Sequence, residues 1–279
     1  MNAIPTHQLN DGRSIDAIGF GTYPLKSDEG VAAVTSALEL GYRLIDTAVN
    51  YGNEAAVGRA VKASSVPRDE ITVTTKLPGR HHGYDETLAS FDESREALDT
   101  DVIDLYLIHW PNPSVDKYVD SWRAMIALQK NGVVRSIGVS NFTEEFLTRL
   151  ADETGVLPAV NQIEMHPYFP QEALRAFHAE HGIVTEAWSP LGRAKAIISE
   201  PAITEAAERH GVTPAQVILR WHTQLGAVPI PKSESPDRQR SNLDIFGFEL
   251  DTAELDAITA LGRPDGRLFD ADPNRHEEM

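Results

Sequence analysis

The feature that most constrains the fold of this sequence is a repeated alternation of amphipathic helical stretches with short strand-like runs. In one such unit, residues 29–40 carry apolar side chains three and four positions apart, Gly41 follows as a helix stop, and residues 43–47 form the strand-like run. Parallel strands need a crossover between them, usually a helix, so this alternation favours a parallel sheet covered by helices. The sequence therefore predicts an α/β protein.

The same alternation recurs along the chain and predicts eight strands. They are placed at residues 17–21, 43–47, 71–76, 103–109, 134–139, 159–163, 183–188 and 227–230. The helices are placed at residues 29–40, 53–62, 85–98, 116–130, 144–152, 171–180, 201–209, 214–224 and 254–261. Eight strand–helix units in 279 residues favour a closed (β/α)8 TIM barrel, with residues 254–261 as an extra C-terminal helix.

The start of the chain adds one further element. The turn residues Asn10, Asp11 and Gly12 tolerate positive φ and predict an N-terminal β-hairpin. No linker or low-complexity segment divides the sequence, so residues 1–279 are interpreted as a single barrel domain. An open doubly wound sheet is the competing fold, but its dinucleotide fingerprint is broken, because Pro24 stands where the third glycine belongs.

Composition limits the function classes. The chain has 25 basic against 42 acidic residues, a net charge of −17, so nucleic acid and anionic membranes are not expected as partners, and an anionic ligand needs a local basic pocket. The absence of cysteine excludes disulfides, thiolate nucleophiles and cysteine-based metal sites. Without a signal-like start or a long apolar run, we expect a cytoplasmic protein. A monomer is the expected oligomeric state.

Polar or aromatic residues stand where the predicted strands end. They are Thr22, Asp46, Lys76, His109, Ser140, Asn141, Gln162, Trp188 and Lys232. In a barrel these strand ends converge on one mouth, where active sites lie. Each residue taken singly has a structural interpretation as well: a helix cap, a core histidine for His109, or a buried salt bridge for Asp46 with Lys76.

Tyr51 lies five residues after Asp46, in a loop over the predicted mouth. A free phenol has a pKa of about 10 and is a poor acid near neutrality. A nearby ammonium group such as that of Lys76 favours the phenolate. His109 can hydrogen-bond a substrate oxygen through the ring nitrogen that carries the proton. These four side chains are therefore candidates for proton transfer.

Several motifs stand in order along the chain: Asp46-Thr47-Ala48, Tyr51-Gly52-Asn53-Glu54, Lys76, His109-Trp110-Pro111, Gly138-Val139-Ser140-Asn141-Phe142, Asn161-Gln162-Ile163-Glu164, Ser189-Pro190-Leu191-Gly192 and Ile230-Pro231-Lys232-Ser233. From about Gly19 to Leu261 the sequence resembles the aldo-keto reductase superfamily, and it is similar to the bacterial 2,5-diketo-D-gluconic acid reductases within that superfamily. The resemblance implies a metal-free barrel that reduces an aldehyde or ketone with NADPH. It also implies that Tyr51 is the proton donor, that Asp46 and Lys76 tune it, and that His109 orients the carbonyl.

The resemblance also implies binding residues. Those for NADPH are Thr22, Asp46, Ser140, Asn141, Gln162, Trp188, Ser189, Leu191, Gly192, Lys232, Ser233, Arg238 and Asn242. Among them, Ser140, Asn141 and Gln162 would bind the nicotinamide carboxamide, and Trp188 would stack on the nicotinamide ring. Lys232, Ser233 and Arg238 would bind the 2′-phosphate. Those for the carbonyl substrate are Tyr23, Tyr51, His109 and Trp110. Relatives commonly carry a glutamate where this chain has Ser241, so the resemblance does not imply an adenine contact at that position.

Other functions stay open from the sequence: a barrel hydrolase or isomerase without nicotinamide, and a non-enzymatic nicotinamide-binding regulator. Two histidine motifs suggest metal, but His81-His82 is interpreted as a solvated loop, and Glu164 with His166 supplies only two ligands. The segment after Gly262 has only 17 residues, which predicts an open pocket for small polar carbonyls.

Overall fold

The computed structural model describes residues 3–193 and 196–278. Its main sheet has eight strands in sequential order, all paired in parallel. The strands are β3 (Phe20–Gly21), β4 (Leu44–Asp46), β5 (Thr72–Leu77), β6 (Ile103–Ile108), β7 (Val134–Ser140), β8 (Val160–Glu164), β9 (Val184–Trp188) and β10 (Ala227–Pro229). Gly19 N donates to Pro229 O and Gly21 N donates to Pro231 O, both at 3.0 Å, so the first segment bonds to the last. The predicted (β/α)8 barrel is confirmed.

Helices cover the outside of this barrel. Among the described residues they are α1 (Ser27–Leu40), α2 (Glu54–Ala63), α3 (Tyr84–Leu98), α4 (Tyr118–Lys130), α5 (Glu144–Thr154), α6 (Glu172–Glu180), α7 (Pro201–His210), α8 (Pro214–Gln224), α9 (Pro236–Leu243) and α10 (Thr252–Thr259). The β6 strand shows the two-residue period that this packing needs. Leu105 and Leu107 join the inner core, whereas Tyr106 and Ile108 pack in the outer core with helix residues such as Trp122.

The predicted N-terminal hairpin is also present. Its strands β1 (Thr6–Gln8) and β2 (Ser14–Asp16) pair antiparallel, and Gly12 in the turn has φ +86°, a conformation that favours glycine. Leu9 and Ile15 of this hairpin are buried in the same cluster as Val160 and Val184, the first residues of β8 and β9. The hairpin therefore packs against the end of the barrel where the strands begin, opposite the mouth.

Helix α9 was not placed from the sequence. Its residues are mostly polar, with Leu243 as the one aliphatic side chain of the helix, so a three-to-four apolar period is missing. Local chemistry defines its start instead: Pro236 takes the first turn, and the Ser235 hydroxyl accepts from Arg238 N at 3.4 Å. None of the helices in residues 3–193 and 196–278 is long and apolar enough to cross a membrane.

Candidate active site

The carboxyl ends of the barrel strands surround a cavity of about 830 Å³. Its lining includes the strand-exit residues Thr22, Asp46, His109, Asn141, Gln162, Trp188 and Lys232, together with Tyr23, Tyr51, Trp110, Ser189, Leu191, Arg193 and Phe269. These strand-exit residues, which the sequence predicted, thus meet at one mouth, as parallel strands in a barrel require. Lys76 lies behind this wall rather than in it.

Lys76 is a fully buried charged residue of the site. Its ammonium Nζ lies 2.6 Å from Asp46 Oδ2 and 2.9 Å from the carbonyl oxygen of Thr47, and its side chain is 0% exposed. Burial alone would lower the pKa of Lys76, but the charge of Asp46, followed by that of Tyr51, raises it overall. The lysine is therefore held as a cation inside the barrel.

Tyr51 connects this buried pair to the cavity. Its hydroxyl lies 3.4 Å from Lys76 Nζ, and its ring contacts the His109 ring edge-on with centroids 5.8 Å apart. Burial raises the pKa of the Tyr51 phenol above its usual value, even though Lys76 acts in the opposite direction. The sequence led us to expect that Lys76 would favour the phenolate; in the structure desolvation outweighs that attraction, because the surrounding protein replaces water around the phenol.

The loop that carries Tyr51 is fixed by Asn53, a residue to which the sequence analysis gave no role. The Asn53 amide donates to Leu25 O at 2.8 Å and to Thr22 Oγ1 at 3.0 Å, and it accepts from Thr47 Oγ1 at 2.5 Å. Asn53 is 3% exposed, so these bonds replace its contacts with water. They tie the loop after β4 to the segment after β3.

Gln162 joins the site to a second buried carboxylate that the sequence analysis missed. Its Nε2 donates to Asp46 Oδ2 and to Glu186 Oε2, both at 2.8 Å. Both amide hydrogens are thus committed, which leaves Oε1 as the remaining hydrogen-bonding group of this side chain. Burial, followed by the charge of Asp46, raises the pKa of Glu186 to about 7. Glu186 lies in the middle of β9, on the same face of the strand as Trp188. That shared face is the one feature of the sequence that could have placed Glu186 near the site.

Asn141 forms a third polar junction at the mouth. Trp188 Nε1 donates to Asn141 Oδ1 at 2.7 Å, while Asn141 Nδ2 donates to His109 O and to Ser140 Oγ, both at 3.0 Å. Ser140 Oγ in turn donates to Gln162 O at 2.8 Å. These bonds fix the orientation of the Trp188 indole ring.

The basic cluster lies between the last barrel strand and α9. Lys232 Nζ contacts a carboxylate oxygen of Glu234, and Ser233 Oγ accepts from Ser235 N at 3.1 Å. Arg238 is exposed on the first turn of α9, and Asn242 is buried on the same helix. Glu234 is an anion within a cluster that the sequence analysis described only by its cations. Gly192 follows Ser189 and Leu191 in the loop after β9, with φ +64°.

The tail segment, residues 263–278, packs across the mouth. The His276 ring lies against Trp110 with centroids 4.2 Å apart, and Phe269 lines the cavity. Glu278 Oε1 approaches His109 Nδ1 to 2.7 Å, although the N–H direction is not aligned with that oxygen, so this close polar contact is not a linear hydrogen bond. The tail thus folds back against one side of the mouth, and the open pocket predicted from its short length stays a prediction.

Of the histidines set aside in the sequence, His82 and His166 are buried, and His81 is half-buried. His82 is 7% exposed and burial lowers its pKa to about 4, so the interpretation of this segment as a solvated loop is wrong. His166 Nε2 lies 3.0 Å from Glu164 Oε1, and the same oxygen accepts from Leu268 N at 2.5 Å. Within the described ranges, no group of three histidine or carboxylate side chains is arranged to hold a metal ion.

Comparisons with known proteins agree with this fold and site. The family model described as the aldo/keto reductase family matches residues 17–263. A 2,5-diketo-D-gluconic acid reductase B of Corynebacterium sp. is 61% identical over 279 residues, covering 100% of both chains. An aldo-keto reductase of Mycolicibacterium smegmatis is 51% identical, covering 95% of this chain and 98% of that protein. A mutant of Gox0644 solved in complex with NADPH superposes with a TM-score of 0.94 at 47% identity, covering 99% of each chain.

The fold and the cavity first define the class of protein: it is a (β/α)8 barrel whose polar groups converge at the carboxyl ends of the strands. The family match and the 61% identical relative then decide the family. The chain belongs to the aldo/keto reductase family, and it is an oxidoreductase. The resemblance drawn from the sequence motifs is confirmed.

Proposed function

We propose that this enzyme reduces an aldehyde or ketone to the corresponding alcohol, with NADPH as its cofactor. When bound, NADPH supplies the hydride for the carbonyl carbon. The observation that carries the proposal is the contact chain from Asp46 through Lys76 to Tyr51, which ends in a phenol on the cavity wall beside His109. A proton donor and a carbonyl-orienting group at one cavity are what a carbonyl reduction needs.

The side chains around the cavity fit a nicotinamide cofactor. Trp188 offers an aromatic face fixed by its bond to Asn141, and Gln162 has only its amide oxygen left to accept from a carboxamide. Ser140 is the third polar residue proposed to bind the nicotinamide carboxamide. Thr22, Ser189, Leu191 and Gly192 belong to the connecting loops, and Lys232, Ser233, Arg238 and Asn242 form the end suited to an adenosine phosphate.

Tyr51 is proposed to donate the proton. Because burial raises the pKa of its phenol, Tyr51 holds a proton at neutral pH. Negative charge that develops on the phenol oxygen during transfer lies 3.4 Å from the Lys76 ammonium, which stabilises it. Asp46 keeps that ammonium in place. In this scheme His109 orients the carbonyl oxygen.

The substrate is proposed to be a small polar carbonyl compound, with activity like that of a 2,5-diketo-D-gluconate reductase. The printed name of the 61% identical relative supports this choice. Tyr23, Trp110 and Phe269 give the cavity aromatic walls, and the guanidinium of Arg193 also lines it. A guanidinium in a chain of net charge −17 suits a substrate that carries a carboxylate.

Tyr51→Phe tests the proposal. The change keeps the ring but removes the transferable proton, so turnover should fall by about 10² or more while NADPH binds with unchanged affinity. Turnover is measured as loss of NADPH absorbance over a carbonyl panel that includes 2,5-diketo-D-gluconate. A Tyr51→Phe enzyme with wild-type turnover would refute Tyr51 as the acid. Wild-type protein that binds NADPH but reduces no carbonyl would favour a nicotinamide-binding regulator instead.

A further inference from the structure

The tail segment places a carboxylate directly against one of the four candidate catalytic residues. Glu278 Oε1 and His109 Nδ1 are 2.7 Å apart, and both side chains are only 12% exposed. A lone pair on the ring nitrogen that faces Glu278 would be repelled by the carboxylate, so the contact favours a hydrogen on Nδ1. With a hydrogen on Nδ1, Nε2 is the ring atom left to face a carbonyl oxygen, and it donates to that oxygen only when it carries a hydrogen as well.

Glu278 is held in place by groups other than His109. Asn50 Nδ2 donates to its Oε1 at 2.7 Å, and Gly79 N donates to its Oε2 at 3.1 Å. Its backbone is paired in both directions with the Asn112 side chain, which accepts from Glu278 N at 3.1 Å and donates to Glu278 O at 2.5 Å. The carboxylate is thus fixed in position by several independent bonds.

The position of Glu278 requires a glycine at residue 79. A Cβ added at Gly79 would lie 2.1 Å from Asn112 Nδ2 and 2.2 Å from Glu278 O, both far inside contact distance. Any side chain at position 79 would therefore displace the tail segment. The close fit shows that the tail occupies a shaped site beside the barrel mouth rather than lying loosely on it.

Charge and position both suit a supporting role for Glu278. Burial opposes its ionised form, but His109, Asn50 and the Gly79 amide together lower the pKa of its carboxyl group. Glu278 is absent from the lining of the 830 Å³ cavity, whereas His109 is part of it. Glu278 therefore stands behind the histidine, and any effect on a substrate must pass through that ring.

We propose that Glu278 is a positioning residue, which fixes the orientation and the Nδ1 proton of His109 for carbonyl reduction. This inference rests on the proposed function of the site. Through Asn50 the same carboxylate also holds the residue next to Tyr51, so one tail side chain links the two segments that carry the proposed acid and the proposed carbonyl-orienting group. Partners of metal-ligating histidines change affinity or activity by about 10- to 100-fold when removed, and by analogy we expect an effect of about tenfold for Glu278.

The test compares Glu278→Gln with Glu277→Gln. The two changes remove the same charge from adjacent tail residues, but Glu277 Oε1 accepts from Ser114 N at 2.8 Å and makes no contact with His109. We expect Glu278→Gln to lower kcat about tenfold with unchanged NADPH affinity, and Glu277→Gln to leave kcat within about twofold. Equal effects of the two changes, or no loss of kcat in Glu278→Gln, would overturn the proposal.

A double-mutant cycle separates positioning from a general loosening of the tail. In a His109→Gln background, Glu278→Gln should cause no further loss of kcat, since the residue it acts through is gone. The same loss in both backgrounds would show that Glu278 acts elsewhere. The cycle uses the residual activity of His109→Gln, measured with excess enzyme and NADPH.

A spectroscopic measurement keeps the inference testable even if carbonyl reduction is not found. Nitrogen NMR of histidine-labelled protein distinguishes a protonated from an unprotonated ring nitrogen. The wild type should show a protonated Nδ1 for His109, assigned by its absence in His109→Gln, and Glu278→Gln should shift that signal while Glu277→Gln leaves it unchanged. An unprotonated Nδ1 in the wild type would refute the contact itself, whatever the reaction.

Discussion

Two charged regions of this protein differ in how far their ion pairs are exposed to solvent. In the barrel interior, Lys76 and Asp46 pair with side chains that are 0% and 6% exposed, and Gln162 and Glu186 continue the network. In the basic cluster after β10, Lys232 and Glu234 pair with side chains that are 31% and 62% exposed. Buried charges are costly to separate, whereas surface pairs contribute little and exchange partners. The interior is therefore suited to fixed proton-transfer geometry, and the cluster to reversible binding of an anion.

The largest effect expected from this contrast is that of Lys76→Met. Losing the ammonium leaves Asp46 buried without its partner, which destabilises a protein by about 3–5 kcal/mol. Turnover should also fall by about 10² or more, because the Tyr51 phenol loses the adjacent cation. Urea unfolding and NADPH-coupled turnover measure the two effects.

Lys62→Met is the matched control for that change. Lys62 pairs with Asp99 on the surface, with side chains 70% and 62% exposed, so its removal should be nearly neutral for both stability and turnover. Similar losses of stability in the two variants would contradict the distinction between interior and surface pairs.

The next effect concerns Glu186 and depends on pH. Its carboxyl pKa of about 7 in the folded protein lies above the ordinary 4.5, so the folded state binds this proton more tightly than the unfolded chain does. Stability from this group is therefore present at low pH and is lost as pH rises from 4.5 to 7, by roughly 3 kcal/mol in total. Glu186→Gln keeps an oxygen for Gln162 but removes the titration.

Urea unfolding at pH 5 and pH 8 measures whether the free energy of unfolding changes with pH in this direction. The stability of Glu186→Gln relative to the wild type should rise between the two pH values. A difference that is constant with pH, or one that falls, would show that the carboxyl group is ionised in the folded protein throughout this range.

In the exposed cluster, Arg238→Ala should weaken NADPH binding by roughly tenfold to a hundredfold, the effect of losing a hydrogen bond to a charged group. NADH lacks the 2′-phosphate and should be almost unaffected. Dissociation constants for both cofactors, at two salt concentrations, provide the measurement. Arg240→Ala removes the same charge from the same helix and should change neither constant by more than about twofold. A loss shared equally by NADPH and NADH would rule out a phosphate contact at Arg238.

The smallest effect is a gain. Glu234 contacts Lys232 and so competes with a phosphate for the same cation. Glu234→Gln should tighten NADPH binding by roughly two- to fivefold, the scale of an exposed ion pair, with little change for NADH. Weaker NADPH binding in this variant would mean that Glu234 orients Lys232 instead of competing for it.

Much of the fold was predictable from local sequence. The alternation of helical and strand-like runs predicted eight strands, and the structure has them in the predicted order. The polar α9 was not placed, because a helix without an apolar stripe gives no periodic signal. The interpretation of residues 1–279 as one domain, and the roles of the site residues, stay predictions.

The candidate site was predictable as a set but not as a geometry. Residues at strand ends, such as Asp46 and His109, must meet in a barrel, so their positions in the sequence sufficed to group them. The direction of the Tyr51 pKa did not follow, because desolvation depends on everything that surrounds the phenol. Glu186 was missed for a related reason: strand alternation places it on the same face as Trp188, but does not show which face of the strand points into the barrel.

The barrel, the ring of polar residues at its mouth and the family all follow from periodicity and motif order, which are local properties of the chain. Which charges are buried, and the contact of Glu278 with His109 from 169 positions further along the sequence, depend on tertiary packing. No periodic pattern encodes such a contact. It depends on the path of the tail segment over Gly79 and Asn112, and that path is set by the packing of the whole barrel mouth.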